Sequence, residues 1–201
     1  MSNLSGTFST PASGKNGLRQ QLIESVAAFN SASAPQAAND MVEQLLTLPE
    51  MTRSARILMC LSFHGEIDTW GLLARLLAAG REVYVPRADP RDRQLHVHRY
   101  PCELRELPFG MKQPLRGTPE LNAGAINETI EVALALGLAF DRRGYRLGFG
   151  TGYFDRFLAG RPFPAIGMCY QAQLVDRIPE EPHDVPMAAV VTEAGVWRPH
   201  I

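Results

Sequence analysis

Residues 56 to 86 constrain the fold more than any other stretch of the chain. RILMCLSF (56–63) is a short apolar run of strand length and suits a strand buried on both faces. HGEIDT follows, and then the apolar WGLLARLLAAG, which Asp68 or Thr69 can cap and Gly80 can end. EVYVP is the next strand, expected to stop at Pro86. Strand, helix and strand in 31 residues is the signature of a parallel sheet.

Further elements continue the pattern. Ile130–Leu136, PAIGMCY and MAAVVT read as strands, QAQLVD as a helical turn, and Gly152–Leu158 as a helix. Leu18, Leu22, Ile23 and Val26 recur at helical spacing from Lys15 onward, Ser31–Asn39 reads as a loop, and Met41–Leu48 as a second short helix. Arg87–Pro119 is Pro-rich with one strand, QLHVHRY, and reads as an excursion over the sheet, a hairpin or lid. The expected fold class is α/β: an open, mostly parallel sheet with helices on both faces, a Rossmann-like three-layer arrangement. Ligands of such sheets sit beyond the carboxyl ends of the strands. Residues 1–14 (MSNLSGTFSTPASG) read as a flexible tail without the features of a secretory signal, and 15–201 as a single domain.

Composition narrows the function. Twenty Lys and Arg against 21 Asp and Glu leave a formal charge of −1. No global field draws the chain to nucleic acid or anionic lipid, so neither partner is expected. No run reaches the roughly 20 apolar residues of a membrane helix. The three cysteines, Cys60, Cys102 and Cys169, are odd in number and widely spaced, which suits buried thiols and a cytoplasmic location. No G-x-S-x-G elbow occurs, so covalent catalysis has no visible candidate.

Chemistry concentrates in FDRRGYRLGFGTGYFDRF (140–157). Gly148, Gly150 and Gly152 alternate through a loop entering a helix, where inward-turned N–H groups can hold an anion. Arg142, Arg143, Arg146 and Arg156 are expected around it. A Gly-rich turn with surface arginines would look the same. Asp155 falls in the first turn of that helix, as a dipole-complementing acid or a magnesium ligand. Asp184 in EPHDVP is a second candidate ligand or a turn carboxylate. Glu66 falls between a strand end and a helix start, able to accept hydrogen bonds from a pterin-like or amide ligand, or simply solvated. Lys15 and Arg19 share a helix face, as phosphate contacts or solvated bases. His96 and His98 share a strand face and read as an exposed edge rather than a metal site.

These segments together resemble 5-formyltetrahydrofolate cyclo-ligases, also called methenyltetrahydrofolate synthetases. AFDRRGYRLGFGTGYFDRFLA is similar to the family signature, KNGLR to its amino-terminal Lys-x-x-Leu-Arg, and LSFHGEIDT to its folate-side strand and Glu loop. LPFGMKQP is similar to its central W/F-G-I-x-x-P segment and IPEEPHDVPMAAVVTE to its carboxyl-terminal Asp motif. The matches run in order from about residue 15 to residue 194.

The resemblance implies a ligase of one-carbon metabolism: ATP- and magnesium-dependent closure of 5-formyltetrahydrofolate to 5,10-methenyltetrahydrofolate, giving ADP and phosphate. It implies Lys15 and Arg146 as catalytic groups, and Lys15, Arg19, Arg146, Leu147, Gly148, Phe149, Gly150, Thr151, Gly152, Tyr153 and Phe154 at ATP. Arg19, Leu61, Glu66, Phe109, Thr151 and Tyr153 would contact the folate, and Asp155 and Asp184 would hold Mg²⁺. Implied partners are small molecules only, with a monomeric or weakly dimeric chain. Thr151 stands where relatives often carry Gly or Lys, Phe154 where they carry a second Tyr, Phe109 where some carry Trp, and Met111 where Ile is usual. A related ATP-dependent enzyme on another pterin-like or amide substrate, or a non-catalytic folate or nucleotide binder, are the alternatives.

Overall fold

The structure is a computed structural model and describes residues 14–29, 34–63, 66–108 and 110–199. Apart from Gly14, the expected tail lies outside the described residues, as do His64 and Phe109.

Helices α1 (Gly14–Phe29), α2 (Ala34–Thr47) and α3 (Pro49–Arg53) precede strand β1 (Arg56–Met59), helix α4 (Thr69–Ala78) and strand β2 (Glu82–Asp89). Then come β3 (Gln94–Tyr100), the hairpin β4 (Leu104–Glu106) and β5 (Lys112–Pro114), α5 (Ala123–Thr129) and β6 (Val132–Ala135). Next are β7 (Ala139–Asp141), β8 (Arg146–Leu147), α6 (Tyr153–Leu158), β9 (Ala165–Met168), a 3-10 turn (Gln171–Gln173), β10 (Leu174–Val175), β11 (Ala189–Thr192) and β12 (Gly195–Trp197).

The main sheet runs β12-β11-β9-β6-β1-β2-β3, parallel from β11 to β2, with antiparallel strands at both edges. Alternation sends Ile57, Met59, Val132 and Leu134 into one core with α2, α3 and α4. Leu58, Ala133 and Ala135 go into a second core with α5 and α6. The expected α/β sheet, covered by helices on both faces, is the observed one. Beside it, β10-β7-β8 form a small sheet, on which α1 packs Leu18 and Leu22 against Ala139, Leu147, Val175 and Ile178.

Four expectations change. The segment expected as loop is helical from Ala34, because Ala37 and Ala38 are good helix formers and bury against the first core. β1 ends at Met59, short of the run that suggested it. β2 continues through Pro86, where Pro86 pairs only with Val97 of β3 because β1 reaches no further than Tyr84. His98 is fully buried, not an exposed edge residue: Nδ1 donates to the Pro119 carbonyl and Nε2 faces Arg87 Nε at 3.4 Å. Burial above all holds its pKa below the ordinary value, so this imidazole is a neutral core group.

Candidate functional site

The parallel strands β1 and β6 end at a cleft enclosing about 1110 Å³, open mouth included. Segments far apart in sequence meet there. The start of α1 supplies Lys15 and Arg19. The β1–α4 loop supplies Leu61, Phe63 and Glu66. The segment from β8 into α6 supplies Arg146 and residues 148–155, and the loop before β11 supplies Glu181, His183 and Asp184.

The glycine loop turns where L-side chains resist turning. Gly150 has φ +96° and Gly152, the residue before α6, has φ +64°. A Cβ on Gly150 would stand 3.3 Å from the Arg19 guanidinium carbon, so the glycine also lets Arg19 lie against the loop. Arg19 Nε donates to the Gly148 carbonyl at 2.9 Å, fastening α1 to the loop. With only six residues, α6 has a weak dipole. Anion binding here would depend more on loop amides and cations than the sequence pattern suggests.

Two ion pairs dominate the polar end. Arg146 Nη2 donates to Asp155 Oδ2 at 2.9 Å, with side chains 5% and 14% exposed. The same guanidinium stands 5.1 Å above the Phe154 ring, and its Nε is buried without a hydrogen-bond partner among the described residues. Lys15 Nζ donates to Asp184 Oδ2 at 2.6 Å and to Glu181 Oε2 at 3.1 Å. Burial opposes the charge of Lys15, yet its bonds to Asp184 and Glu181 outweigh that, and its pKa lies above the ordinary lysine value.

The opposite wall is apolar. Cys60, Leu61, Phe63, Pro86, Ala88, Leu95 and Met111 line it, with Glu66 among them. Glu66 accepts a hydrogen bond from the Phe63 amide at 3.2 Å, but burial dominates and pushes its carboxyl up to about 7. Burial and then the Glu66 charge push Cys60 up to about 12, and burial also raises Cys102 and Cys169, so none of the three is a ready thiolate.

Nearly all the expected site residues therefore meet, but not all as expected. Leu147 is the exception: fully buried, its side chain packs under α1 with Leu18 and Leu22, and it does not line the cleft. Phe109 lies outside the described residues. Arg142 and Arg143 do not surround the loop. Arg142 stacks 4.4 Å over the Trp197 ring, and Arg143 binds the fully buried Asp141 and also Glu180, anchoring the turn before β8. Arg156 stacks on Tyr153 and donates to the Arg93 carbonyl. The Phe154 ring packs against Phe157 in the second core and beneath the Arg146 guanidinium at the edge of the cleft.

The sequence reading missed Glu181, His183 and Lys112. Acids and His crowded into EEPHD were the available signal for the first two, whose ligand atoms lie with that of Asp184 within 4.8 Å of one another. Glu181, His183 and Asp184 thus form a cluster that could take a cation, while Asp155 lines the same cleft paired with Arg146.

Comparison with known proteins agrees. The 5-formyltetrahydrofolate cyclo-ligase family model matches residues 11–193. The 5-formyltetrahydrofolate cyclo-ligase of Escherichia coli K12 is 30% identical over 178 residues, covering 83% of this chain and 96% of the relative. That of Haemophilus influenzae is 32% identical over 179 residues, covering 85% and 92%. The solved structure of Aquifex aeolicus 5,10-methenyltetrahydrofolate synthetase superposes with a TM-score of 0.78 at 27% identity, covering 93% of each chain. With a match over most of its length and a cleft at the sheet's carboxyl edge, the chain belongs to the 5-formyltetrahydrofolate cyclo-ligase family.

Proposed function

We propose that the chain is an ATP- and magnesium-dependent enzyme that closes 5-formyltetrahydrofolate to 5,10-methenyltetrahydrofolate, releasing ADP and phosphate. The observation that carries this is the convergence, in one cleft, of two cation–carboxylate pairs and a glycine loop at one end with a half-buried carboxyl on an apolar wall at the other.

The chemistry explains why no enzyme nucleophile is required. A formamide carbon is a poor electrophile, and its oxygen leaves badly. The formyl oxygen attacks the γ-phosphorus and ADP departs, which leaves an iminium-like carbon bearing a phosphate. The N10 nitrogen of the same molecule then attacks that carbon, gives up its proton, and phosphate leaves. Intramolecular attack makes the second step fast. The first step needs positioning and charge neutralisation.

This chain's residues supply both. Lys15 and Arg146 exchange their carboxylate partners for phosphate oxygens, and the buried unpartnered Nε of Arg146 gives it a donor to spare. Arg19 holds the loop closed over the phosphates through Gly148. The carboxylates thus released, Asp155 and Asp184, would hold Mg²⁺, which supplies charge neutralisation on the phosphate oxygens. Glu66, largely protonated below about pH 7, can donate to or accept from a pterin ring, while Leu61 and Tyr153 line the space beside it.

The test follows the methenyl product by absorbance, with and without ATP. Product that requires both substrates is expected. ATP turnover on another amide without methenyl product would move the chain to a different reaction. Binding without turnover of any substrate would make it a binder.

A further inference from the structure

We propose that Lys112, on the β4–β5 hairpin, is a specificity-determining residue that holds the glutamyl carboxylates at the far end of the reduced folate. The proposal deepens the proposed function and rests on it for the identity of the ligand.

Three observations lead there. First, Lys112 differs from the other cationic side chains of the cleft. Among the described residues lining it, Lys15 is bonded to Asp184 and Glu181, Arg146 to Asp155, and Arg19 to Gly148 and Asn16. The Lys112 ammonium has only Glu106, at 4.0 Å, and is 48% exposed. It is a charge available to a ligand.

Second, its position is fixed without being neutralised. The ammonium lies 5.6 Å from the centre of the Trp70 ring. Trp70 is itself held by its Nε1 donating to the Ser62 carbonyl, next to Phe63, whose amide bonds Glu66. A cation over an aromatic face keeps its charge and its place. Lys112 is thus tied to the same loop that carries Glu66.

Third, the cleft has two ends of different chemistry. The phosphate end holds the paired cations and carboxylates. The wall around Glu66 is apolar, with Met111 and Leu95 beside the hairpin. A reduced folate has a bicyclic, nearly neutral ring at one end and a dicarboxylate at the other. With its ring against the apolar wall, its dicarboxylate falls at the rim, and Lys112 is the rim cation on that wall.

The test is equilibrium binding in the absence of ATP, followed by tryptophan fluorescence with calorimetry as the check. The ligands are 5-formyltetrahydrofolate and 5-formyltetrahydropteroate, which lacks the glutamate. The native chain should bind the folate about fivefold more tightly, the scale of one half-exposed charge-assisted contact. In Lys112→Gln that ratio should fall toward one, and Lys112→Arg should keep most of it. A purely structural role would weaken both ligands equally and leave the ratio native. That result, or a native ratio near one, would overturn the proposal. Folate binding with an intact ratio but no methenyl product under ATP would overturn the proposed reaction and leave the role of Lys112 standing.

Discussion

The two ends of the cleft hold charge in opposite ways. At the polar end, buried charges are permitted because each has a partner: Arg146 with Asp155, and Lys15 with Asp184 and Glu181. Along the apolar wall, no ion pair to Glu66 is found among the described residues, and burial raises its pKa to about 7. The first end keeps its charges by pairing them. The second tends to shed its charge by holding a proton. One end therefore suits a polyanion with a metal, the other a weakly polar ring that exchanges hydrogen bonds.

Asp155→Asn should break the paired end most severely. We expect turnover to fall by about a thousandfold, the scale of a lost electrostatic contact at a transition state. The melting temperature should move far less, because Asn still accepts from Arg146. Steady-state kinetics at several Mg²⁺ concentrations check this, and native turnover with native magnesium dependence would remove Asp155 from the metal site. Lys15→Ala comes next, with an expected rise of about tenfold in the ATP KM and little change in the folate KM. An equal rise in both would mean that Lys15 only fastens α1.

Glu66→Gln sharpens the contrast through pH. The folded carboxyl titrates near 7 against an ordinary 4.5, so between those values the folded chain holds a proton the unfolded chain has released. Its stabilising contribution is complete below about pH 4.5 and is lost as pH rises through 7. Melting curves from pH 4.5 to 8 should show a decline in the native chain that is shallower in Glu66→Gln. Parallel curves would mean Glu66 is ordinary. The smallest effect is expected for Gly150→Ala. A φ of +96° and a Cβ 3.3 Å from Arg19 should cost about 1 kcal/mol and raise the ATP KM a few-fold. Calorimetry and kinetics together read it.

Legibility followed locality. The glycine loop, the Asp155 that follows it and the crossover from β1 to β2 are each written in contiguous residues, so turn chemistry and periodicity exposed them. The arginines beside the loop were misplaced because side-chain direction is not in the spacing: Arg142 and Arg143 turn away to Trp197 and Asp141, while Arg146 turns inward. Lys112 gave no signal of its own, since the ring it lies over, Trp70, is 42 residues earlier in the chain.

The amino-acid order by itself determined the parallel α/β sheet, the glycine turn and the Asp155 that follows it, because each follows from steric preferences and apolar periods within about thirty residues. Only the tertiary structure decided that Lys15 meets Asp184 across 169 positions and that Glu66 loses enough water to keep its proton. Pairing and desolvation depend on which distant groups exclude solvent together, and that is a property of the packed chain rather than of any segment in it.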